Sequence, residues 1–401
     1  MFSERSIDTD KSIIIGKKFL KNNNLTYSIK KYGNSINSYT VSLDYKDING
    51  LTILGNGKGL NKQSLASAIF EAIEHYLLDV TYYDESIFRK MTFKDLKEYI
   101  PLKSHYALNQ LINNFEDSEI DCIKFDCVDK IEGHIYYPKF LMYPNYSIDS
   151  NIPNKYSVYS TNNGMAVGVS KEETLLHGFL EVIERNALSL HYLKHFISNK
   201  EEQLYIVKNT DINRSNKLIL EELKSIFDKI LVLNITSSNN IPSILVVGYN
   251  NNYKYPFVGS GSSLSKDYAI ERALTESLQA FHLYGDDILM ENIIIEENLK
   301  KIPNLIDIIY YNYGEIEVQE KGLVDYNVES LNLSEQLNLL KKLIGLDGDR
   351  LYYNILYNSG GVFFSKCIIP TYEQFHLIRS GNIVMPSERG MDYLKEQVWF
   401  M

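Results

Sequence analysis

Between Leu175 and Leu190 the apolar residues Leu175, Leu176, Phe179, Leu180, Ile183, Leu188 and Leu190 recur at helical spacing. Ser170 followed by Glu173 reads as a capping box that opens this helix. Gly164 and Gly168, just upstream, read as a glycine-punctuated loop leading into it. The same frame predicts helices after glycine loops in Gly55 to Leu77, reaching about Val80, and in Gly259 to Leu283. Further helices are expected around Ile13 to Leu20, Ala107 to Phe115 and Lys217 to Ile230. Period-two alternation marks strands. One lies around Tyr27, a hairpin spans 38–54 with Asn49-Gly50 as its turn, and two more run from Cys122 to Cys127 and from His134 to Leu141. The runs LVLNIT and SILVVGYN flank an Asn-Asn-Ile-Pro turn, and LYYNILYN pairs with GVFFSKCIIP across Ser359-Gly360-Gly361. Residues 285–350 read as helical and irregular, and Asn145 to Lys155 as a loop able to cover a site. Hairpins alternating with long helices give an α+β fold with mixed or antiparallel sheets.

The polar positions on these helices are also periodic. Glu181 and Glu184 stand three apart with Arg185 next and Glu173 two turns earlier. Ser67, Glu71 and Glu74 fall at i, i+4 and i+7, and Arg272, Glu276 and Gln279 repeat that spacing. In each unit a lysine (Lys62, Lys171 or Lys266) follows the glycines, a Glu comes nine or ten residues later, and a Glu or Gln three after that. Three such frames about a hundred residues apart read as converging walls of one site. Carboxylates brought together must share protons or be neutralised by cations. Oxygen ligands without thiolates suit magnesium, held by one or two carboxylates plus substrate phosphates. Arg185, Arg272 and Lys58 would meet those phosphates. The chemistry implied is nucleotide binding with phosphoryl transfer, without any G-x-x-x-x-G-K-[ST] loop.

Composition narrows the class. A net charge of −10 and the lack of a basic run with interleaved aromatics argue against a nucleic-acid surface. The N-terminus has no apolar signal region and no apolar run approaches a membrane span, so the expected compartment is the cytosol. Cys122, Cys127 and Cys367 form no C-x-x-C and are expected to be reduced, partly buried thiols. At 401 residues and 44% hydrophobic, the chain can bury a large core, read here as a single catalytic domain. Within it, 1–54 form an N-terminal helix and hairpin, 55–284 the three glycine-helix units, and 285–401 a C-terminal segment, hairpin and tail.

These three stretches resemble the YcaO family of ATP-dependent enzymes that activate peptide backbone amides. Its first signature, Ser-x-x-x-Glu-x-x-Glu-Arg after Gly-Lys-Gly, appears as Gly57-Lys58-Gly59 with Ser67, Glu71 and Glu74, but His75 stands in place of the arginine. The second matches Asn163, Gly164, Met165, Ala166, Gly168, Glu173, Glu181, Glu184 and Arg185, and the third matches Arg272 through Gln279. Arg5 and Ser12 resemble a nucleotide-contacting basic residue and serine of the family. The resemblance implies ATP and Mg2+ as cofactors. Glu71, Glu74, Glu181 and Glu184 would hold magnesium, Glu276 and Gln279 would support the nucleotide, and Lys58, Arg185 and Arg272 would meet phosphates. Ser67 and Glu173 would join the nucleotide site, and Glu181, Glu184 and Arg185 would carry catalysis.

The activity so implied is conversion of Cys, Ser or Thr to thiazoline or oxazoline rings in a ribosomally made, bacteriocin-like peptide carrying a leader. A separate leader-binding partner resembling a ubiquitin-activating enzyme, and a homodimer, go with it. Azoline-forming members often end in Pro-x-Pro-x-Pro, whereas this chain ends Glu396-Gln397-Val398-Trp399-Phe400-Met401. Thioamide or amidine formation, with a TfuA-like partner for the thioamide, and a non-catalytic peptide-presenting scaffold are the alternatives. Other features have plainer readings. His191 and His195 form a helix-surface pair, Ser64, Ser67 and Ser170 sit at helix starts as caps, Glu172 and Glu271 face solvent, and Asn186 has no assigned role.

Overall fold

The computed structural model describes residues 4–99, 105–129, 133–144, 152–198 and 203–396. Most of the expected covering loop at 145–155 and the tail at 397–401 lie outside the described residues. In chain order, helix α1 (Thr9–Asn22) precedes strands β1 (Tyr27–Tyr32), β2 (Ser38–Lys46) and β3 (Thr52–Gly57), then helix α2 (Gln63–Tyr82). Strand β4 (Arg89–Thr92), helices α3 (Phe93–Leu96) and α4 (Tyr106–Asn114), and strands β5 (Glu119–Cys127), β6 (His134–Pro138) and β7 (Met165–Gly168) lead to helix α5 (Lys171–Tyr192). Next come β8 (Leu204–Val207), α6 (Arg214–Ile226), β9 (Lys229–Asn234), β10 (Ser243–Tyr249), β11 (Phe257–Ser262) and α7 (Lys266–Leu283). Helices α8 (Asp286–Leu299) and α9 (Pro303–Tyr310), strand β12 (Val318–Lys321), helix α10 (Leu333–Gly345), strands β13 (Tyr352–Ser359) and β14 (Val362–Ile368) and helix α11 (Glu388–Glu396) complete the order. The fold is α+β, as the patterning predicts.

The chain divides into two compact units, one of Met1–Val182 with Ser330–Thr371, the other of Ile183–Glu329 with Tyr372–Met401. The division falls within α5. In the first unit, β1, β2 and β3 form an antiparallel sheet, and the second sheet runs β4-β5-β13-β14-β7 with β6 also paired to β5. Helix α1 starts at Asp8, whose carboxylate accepts the Lys11 N–H at 2.9 Å, and buries Ile13, Phe19 and Leu20. The C-terminal part of α2 is tied to the β2–β3 turn: buried Asp79 accepts the Tyr45 hydroxyl at 2.6 Å and the Ile48 N–H at 3.3 Å. Gly50 takes the left-handed conformation in the expected turn, and Gly360 and Gly361 do so between β13 and β14.

In the second unit the strand order is β11-β10-β9-β8-β12, antiparallel except for the β8–β12 pair, where Leu204 lies opposite Val318 in parallel register. Both strands are only four residues long, too short for alternation to show in the sequence, and β12 is exposed throughout. Helix α6 ends at Ile226, short of the expected Ile230, because residues 229–234 join the sheet as β9. Phe227 then turns inward, stacking on Phe257 with centroids 5.4 Å apart over the face of Gly248. Strand β10 is buried along nearly its whole length and forms the centre of this unit's core.

Most of the glycines expected in loops belong instead to strands, while Gly59 and Gly164 do lie in loops with positive φ. Gly55 and Gly57 lie on β3 and face α2; a Cβ on Gly55 would fall within overlap of the Ala68 carbonyl and the Ala72 nitrogen. Gly259 and Gly261 lie on β11 and face α7, where a Cβ on Gly261 would stand 2.5 Å from the Ala269 carbonyl and 2.9 Å from the Ala273 nitrogen. Alternate strand residues share one face, so Gly-x-Gly clears that face for a helix backbone. Alanines on the helices complete the fit. A methyl group at Gly259 should therefore cost more than about 2 kcal/mol through overpacking. Gly345→Ala, where nothing lies within 4 Å, should be neutral or stabilising by up to about 1 kcal/mol. Thermal melts of the two variants check this, and equal melting temperatures would refute the close-approach role.

Candidate active site

On the first unit, Glu71 and Glu74 are half-buried on the helix that Gly55 and Gly57 hold close to β3, with Ser67 one turn earlier and Lys58 half-buried just beyond that strand. Burial raises the Glu74 carboxyl well above the usual carboxylate range, and the charges of Glu181 and Glu71 raise it further. The Val167 N–H and the Lys366 ammonium work against that rise. Lys366 on β14, only 2% exposed, donates to the carbonyls of Thr161 (2.9 Å) and Asn163 (2.7 Å). Burial brings it down to about 7, against the pull of Glu181 and Glu74. Three carboxylates and one ammonium thus share one electrostatic neighbourhood. Sequence reasoning missed Lys366, which reads as an ordinary strand residue; the only signal was a lone lysine in the otherwise apolar run GVFFSKCIIP.

Glu173 is buried at the start of α5. Its carboxylate accepts Arg5 Nη1 at 3.2 Å and the Ser6 N–H at 3.1 Å. Ser170 caps the helix by accepting the Glu173 N–H at 3.2 Å. This corrects the capping-box expectation: the serine half is present, while the Glu173 side chain reaches to the N-terminal segment. Ser12 donates to the Asp8 carbonyl on its own helix. His75 bonds through Nδ1 to the Leu54 carbonyl at 2.7 Å, so Nδ1 carries the proton, and burial holds its ring below the usual imidazole range. Where the family signature has arginine, this chain presents a neutral ring turned back onto β3.

On the second unit, Glu184 is 1% exposed and richly partnered. It accepts the Ser260 hydroxyl at 2.6 Å and the Ser262 N–H at 3.2 Å, with Arg185 Nη1 at 3.7 Å and Arg272 Nη2 at 3.8 Å. Glu276 on α7 accepts the Ser260 N–H at 2.8 Å. The GSGS sequence of β11 therefore serves two helices: its glycines clear one face for α7, while the Ser260 hydroxyl reaches α5. Buried Gln279 Nε2 has no hydrogen-bond partner among the described residues. Asn186 accepts the Glu373 N–H at 3.0 Å, which gives it the anchoring role that the sequence left blank.

Two plain readings need correction. His191 and His195 are enclosed, not on the surface: their rings lie 4.5 Å apart among Tyr192, Phe196 and Tyr313, and His191 Nε2 bonds the Tyr313 hydroxyl at 2.8 Å. Burial lowers both, His195 to about 4. Glu271 is half-buried, and burial alone raises it to about 7, so it does not simply face solvent. Cys122, Cys127 and Cys367 are buried thiols that form no disulfide with one another. Among the described residues no group of three or more His, Cys, Asp or Glu side chains forms a ready-made metal cage, and no helix is long and apolar enough to cross a membrane.

Comparison with known proteins gives one family: a family described as YcaO cyclodehydratase, ATP- and Mg2+-binding, matches residues 56–370. An uncharacterised protein of Methanothermobacter thermautotrophicus is 23% identical over 223 residues, covering 54% of this chain and 56% of its own. Among solved structures, the YcaO protein of Methanopyrus kandleri bound with AMPPCP and Mg2+ is similar with a TM-score of 0.65 at 14% identity, covering 95% of this chain and 96% of its own. A heterocyclase in complex with substrate and cofactor gives 0.64 at 16%, covering 91% and 52%. The E. coli microcin synthetase McbBCD complex with pro-MccB17 gives 0.58 at 15%, covering 87% and 88%. The chain thus spans about half the length of the curated relative and of the heterocyclase chain. The structural likenesses establish the fold.

The Glu74 environment has a consequence for stability. Its folded pKa lies above the unfolded value, so the ionised group costs stability at pH 8, and that cost fades as pH falls through the folded pKa towards 4.5. Glu74→Gln keeps an oxygen for the Val167 N–H and removes the charge. The variant should melt higher than the parent at pH 8, by roughly 2–4 °C, with the gap closing near pH 5. Thermal melts at both pH values check the sign; a lower melting temperature at pH 8 would show that the carboxylate is stabilising as an anion.

Proposed function

Because the chain belongs to the YcaO family, we propose that it is an ATP- and Mg2+-dependent cyclodehydratase that acts on the backbone amides of a ribosomally made peptide. The observation that carries this reading is the neighbourhood of Glu71, Glu74 and Glu181, where burial and mutual repulsion make the ionised carboxylates unfavourable unless a divalent cation neutralises them. The donor set is all oxygen, which suits magnesium. Glu71, Glu74 and Glu181 would hold the metal. Lys58, Arg185 and Arg272 would meet phosphates, and Gln279 offers a buried, unpartnered N–H group to an acceptor on the nucleotide. Glu276 would support the nucleotide from α7, and Ser67 and Glu173 would border it. Glu184, already bonded to Ser260 and Ser262, would act by orienting Arg185 and Arg272.

The chemistry follows from the amide. Its carbonyl is a weak electrophile and its oxygen a poor leaving group. A side-chain thiol or hydroxyl of the peptide adds to the carbonyl carbon, and the resulting oxyanion takes the γ-phosphoryl group of ATP, releasing ADP. The carbon–oxygen bond then breaks, phosphate departs, and loss of the amide proton leaves the C=N bond of an azoline. ATP supplies the phosphoryl group, and Mg2+ the charge neutralisation that phosphoryl transfer needs. The protein supplies position and fixed charge. The microcin synthetase to which the fold is similar is a complex holding pro-MccB17. This supports a peptide substrate with a leader, delivered by a separate leader-binding partner, and a homodimer goes with the same proposal. The three reduced, buried thiols support work in the cytosol.

Two measurements test the reading. Calorimetry with the nonhydrolysable analogue AMPPCP should show Mg2+-dependent binding to the whole chain that falls at least tenfold in Glu181→Ala. Mass spectrometry of Cys-, Ser- and Thr-containing peptides, with ATP, Mg2+ and a leader-binding partner, should show loss of one water per modified residue. Replacement of oxygen by sulfur only when sulfide is supplied would assign thioamidation instead, with a TfuA-like partner. Nucleotide binding without any peptide change would favour a peptide-presenting scaffold, and no binding at all would overturn the proposal.

A further inference from the structure

The segment following β14 returns to α5 within the second unit and places a histidine beside Arg185. Two contacts lock it there. Asn186 accepts the Glu373 N–H at 3.0 Å, and Ser189 Oγ accepts the His376 N–H at 2.9 Å. Glu373 itself closes the segment on itself, accepting the Ser387 N–H at 2.9 Å, the Ser387 hydroxyl at 2.6 Å and the Gln374 N–H at 2.8 Å. His376 is the second residue of a six-residue 3-10 helix, Phe375–Ser380, whose Arg379 donates to the Ile309 carbonyl at 3.2 Å. Both ends of this helix are fixed.

The hydrogen bonds also determine which ring nitrogen carries the proton. The Ser189 hydroxyl has one hydrogen, and it is committed to the Arg185 carbonyl at 2.6 Å. His376 Nδ1 stands 3.2 Å from the same oxygen, so Nδ1 must be the donor. Nε2 is then the unprotonated nitrogen. It has no hydrogen-bond partner among the described residues, and the side chain is half-buried. Burial and the Arg185 charge hold the ring neutral. The arrangement is a neutral imidazole of fixed tautomer with a bare lone pair on Nε2, linked through the Ser189 hydroxyl to the backbone of the arginine proposed above to meet phosphate and within reach of its charge.

We propose that His376 is the proton acceptor for the attacking nucleophile of the peptide. This rests on the cyclodehydratase reading and deepens it. As the thiol or hydroxyl adds to the amide carbon, its proton passes to His376 Nε2 and the carbonyl electrons move onto oxygen. When phosphate departs, the imidazolium returns the proton to it, so the ring ends each turnover neutral. Arg185 opposes a positive ring, but its charge is offset when a polyphosphate lies against it. The base therefore strengthens only once nucleotide is bound, and a chain without ATP would not abstract the proton prematurely.

Two measurements on the whole chain test the proposal. In chain carrying 15N-labelled histidine, the His376 signals, assigned by their absence in His376→Asn, should show Nδ1 protonated and Nε2 bare. That preference should weaken in Ser189→Ala. His376→Asn keeps an amide N–H for Ser189 but removes the lone pair at Nε2. It should bind Mg2+ and AMPPCP within about twofold of the parent. Its turnover of a Cys, Ser or Thr peptide that the parent converts should fall about 100-fold or more in kcat, with peptide KM little changed. Unchanged turnover, joint loss of binding and turnover, or an Nε2-protonated ring would each overturn the assignment. A parent chain that binds no AMPPCP would instead defeat the family-based reading beneath it, and this inference with it.

Discussion

Backbone packed directly against backbone is the constraint from which both polar ladders follow. A strand ordinarily stands off from a helix by the depth of its side chains. Where β3 and β11 present glycine at alternate positions, α2 and α7 come in until alanines touch main-chain atoms. This close contact leaves each helix little freedom to roll or slide, since any shift would drive a main-chain carbonyl into the strand. The neighbouring face of each helix is therefore fixed as well. On α2 that ladder is Ser67, Glu71 and Glu74; on α7 it is Arg272, Glu276 and Gln279. Glycine residues that carry no chemistry thus set the pitch and orientation of those that do.

With orientation fixed, the charges divide into two kinds. Glu184 accepts hydrogen bonds from Ser260 and Ser262, one on each oxygen, and lies near two arginines at 3.7 and 3.8 Å, an arrangement in which an anion faces cations. Glu74 has one backbone donor and two carboxylate neighbours, and its ionised form is unfavourable. Burying a carboxylate with too little compensation is expensive, and such sites persist where another charge completes them. Lys366 supplies part of that charge, but it is tied to two carbonyls and is itself disfavoured as a cation by burial. The first unit thus has an electrostatic gap suited to a divalent ion, and the second has cations suited to phosphate.

Much of this was legible in the sequence because it is periodic. Helical spacing located all three ladder helices and the polar pairs on them, and the period-two runs located β2, β3, β9, β10, β13 and β14. Gly59 and Gly164 lie in loops as expected, but the Gly-x-Gly pairs of β3 and β11 were misplaced, since Gly-x-Gly looks the same in a loop and on a strand; only the alanines at i and i+4 of the following helix hint at close packing. Strands β8 and β12 escaped because four residues, whether inside the sheet like β8 or at its edge like β12, carry too little alternation to register. Lys366 and His376 escaped for a different reason. Their significance lies in partners far along the chain, Thr161 and Asn163 for one and Ser189 for the other, and no local spacing encodes such meetings.

The second half of α5 shows how one helix can organise a site by dividing its residues among several segments. Within six residues, Glu184 holds β11 while Asn186 and Ser189 hold the segment of Glu373 and His376. Arg185 lies between them, its side chain against Glu184 and its carbonyl bonded to Ser189. The arginine is therefore fixed from both ends: its charge by an anion that the strand serines immobilise, its backbone by a hydroxyl that also sets a histidine tautomer. A change in the charge facing Arg185 would be felt at His376 without any backbone movement, because the two already interact electrostatically. Nucleotide binding and proton acceptance can then be coupled through a single side chain, with helix geometry as the rigid frame.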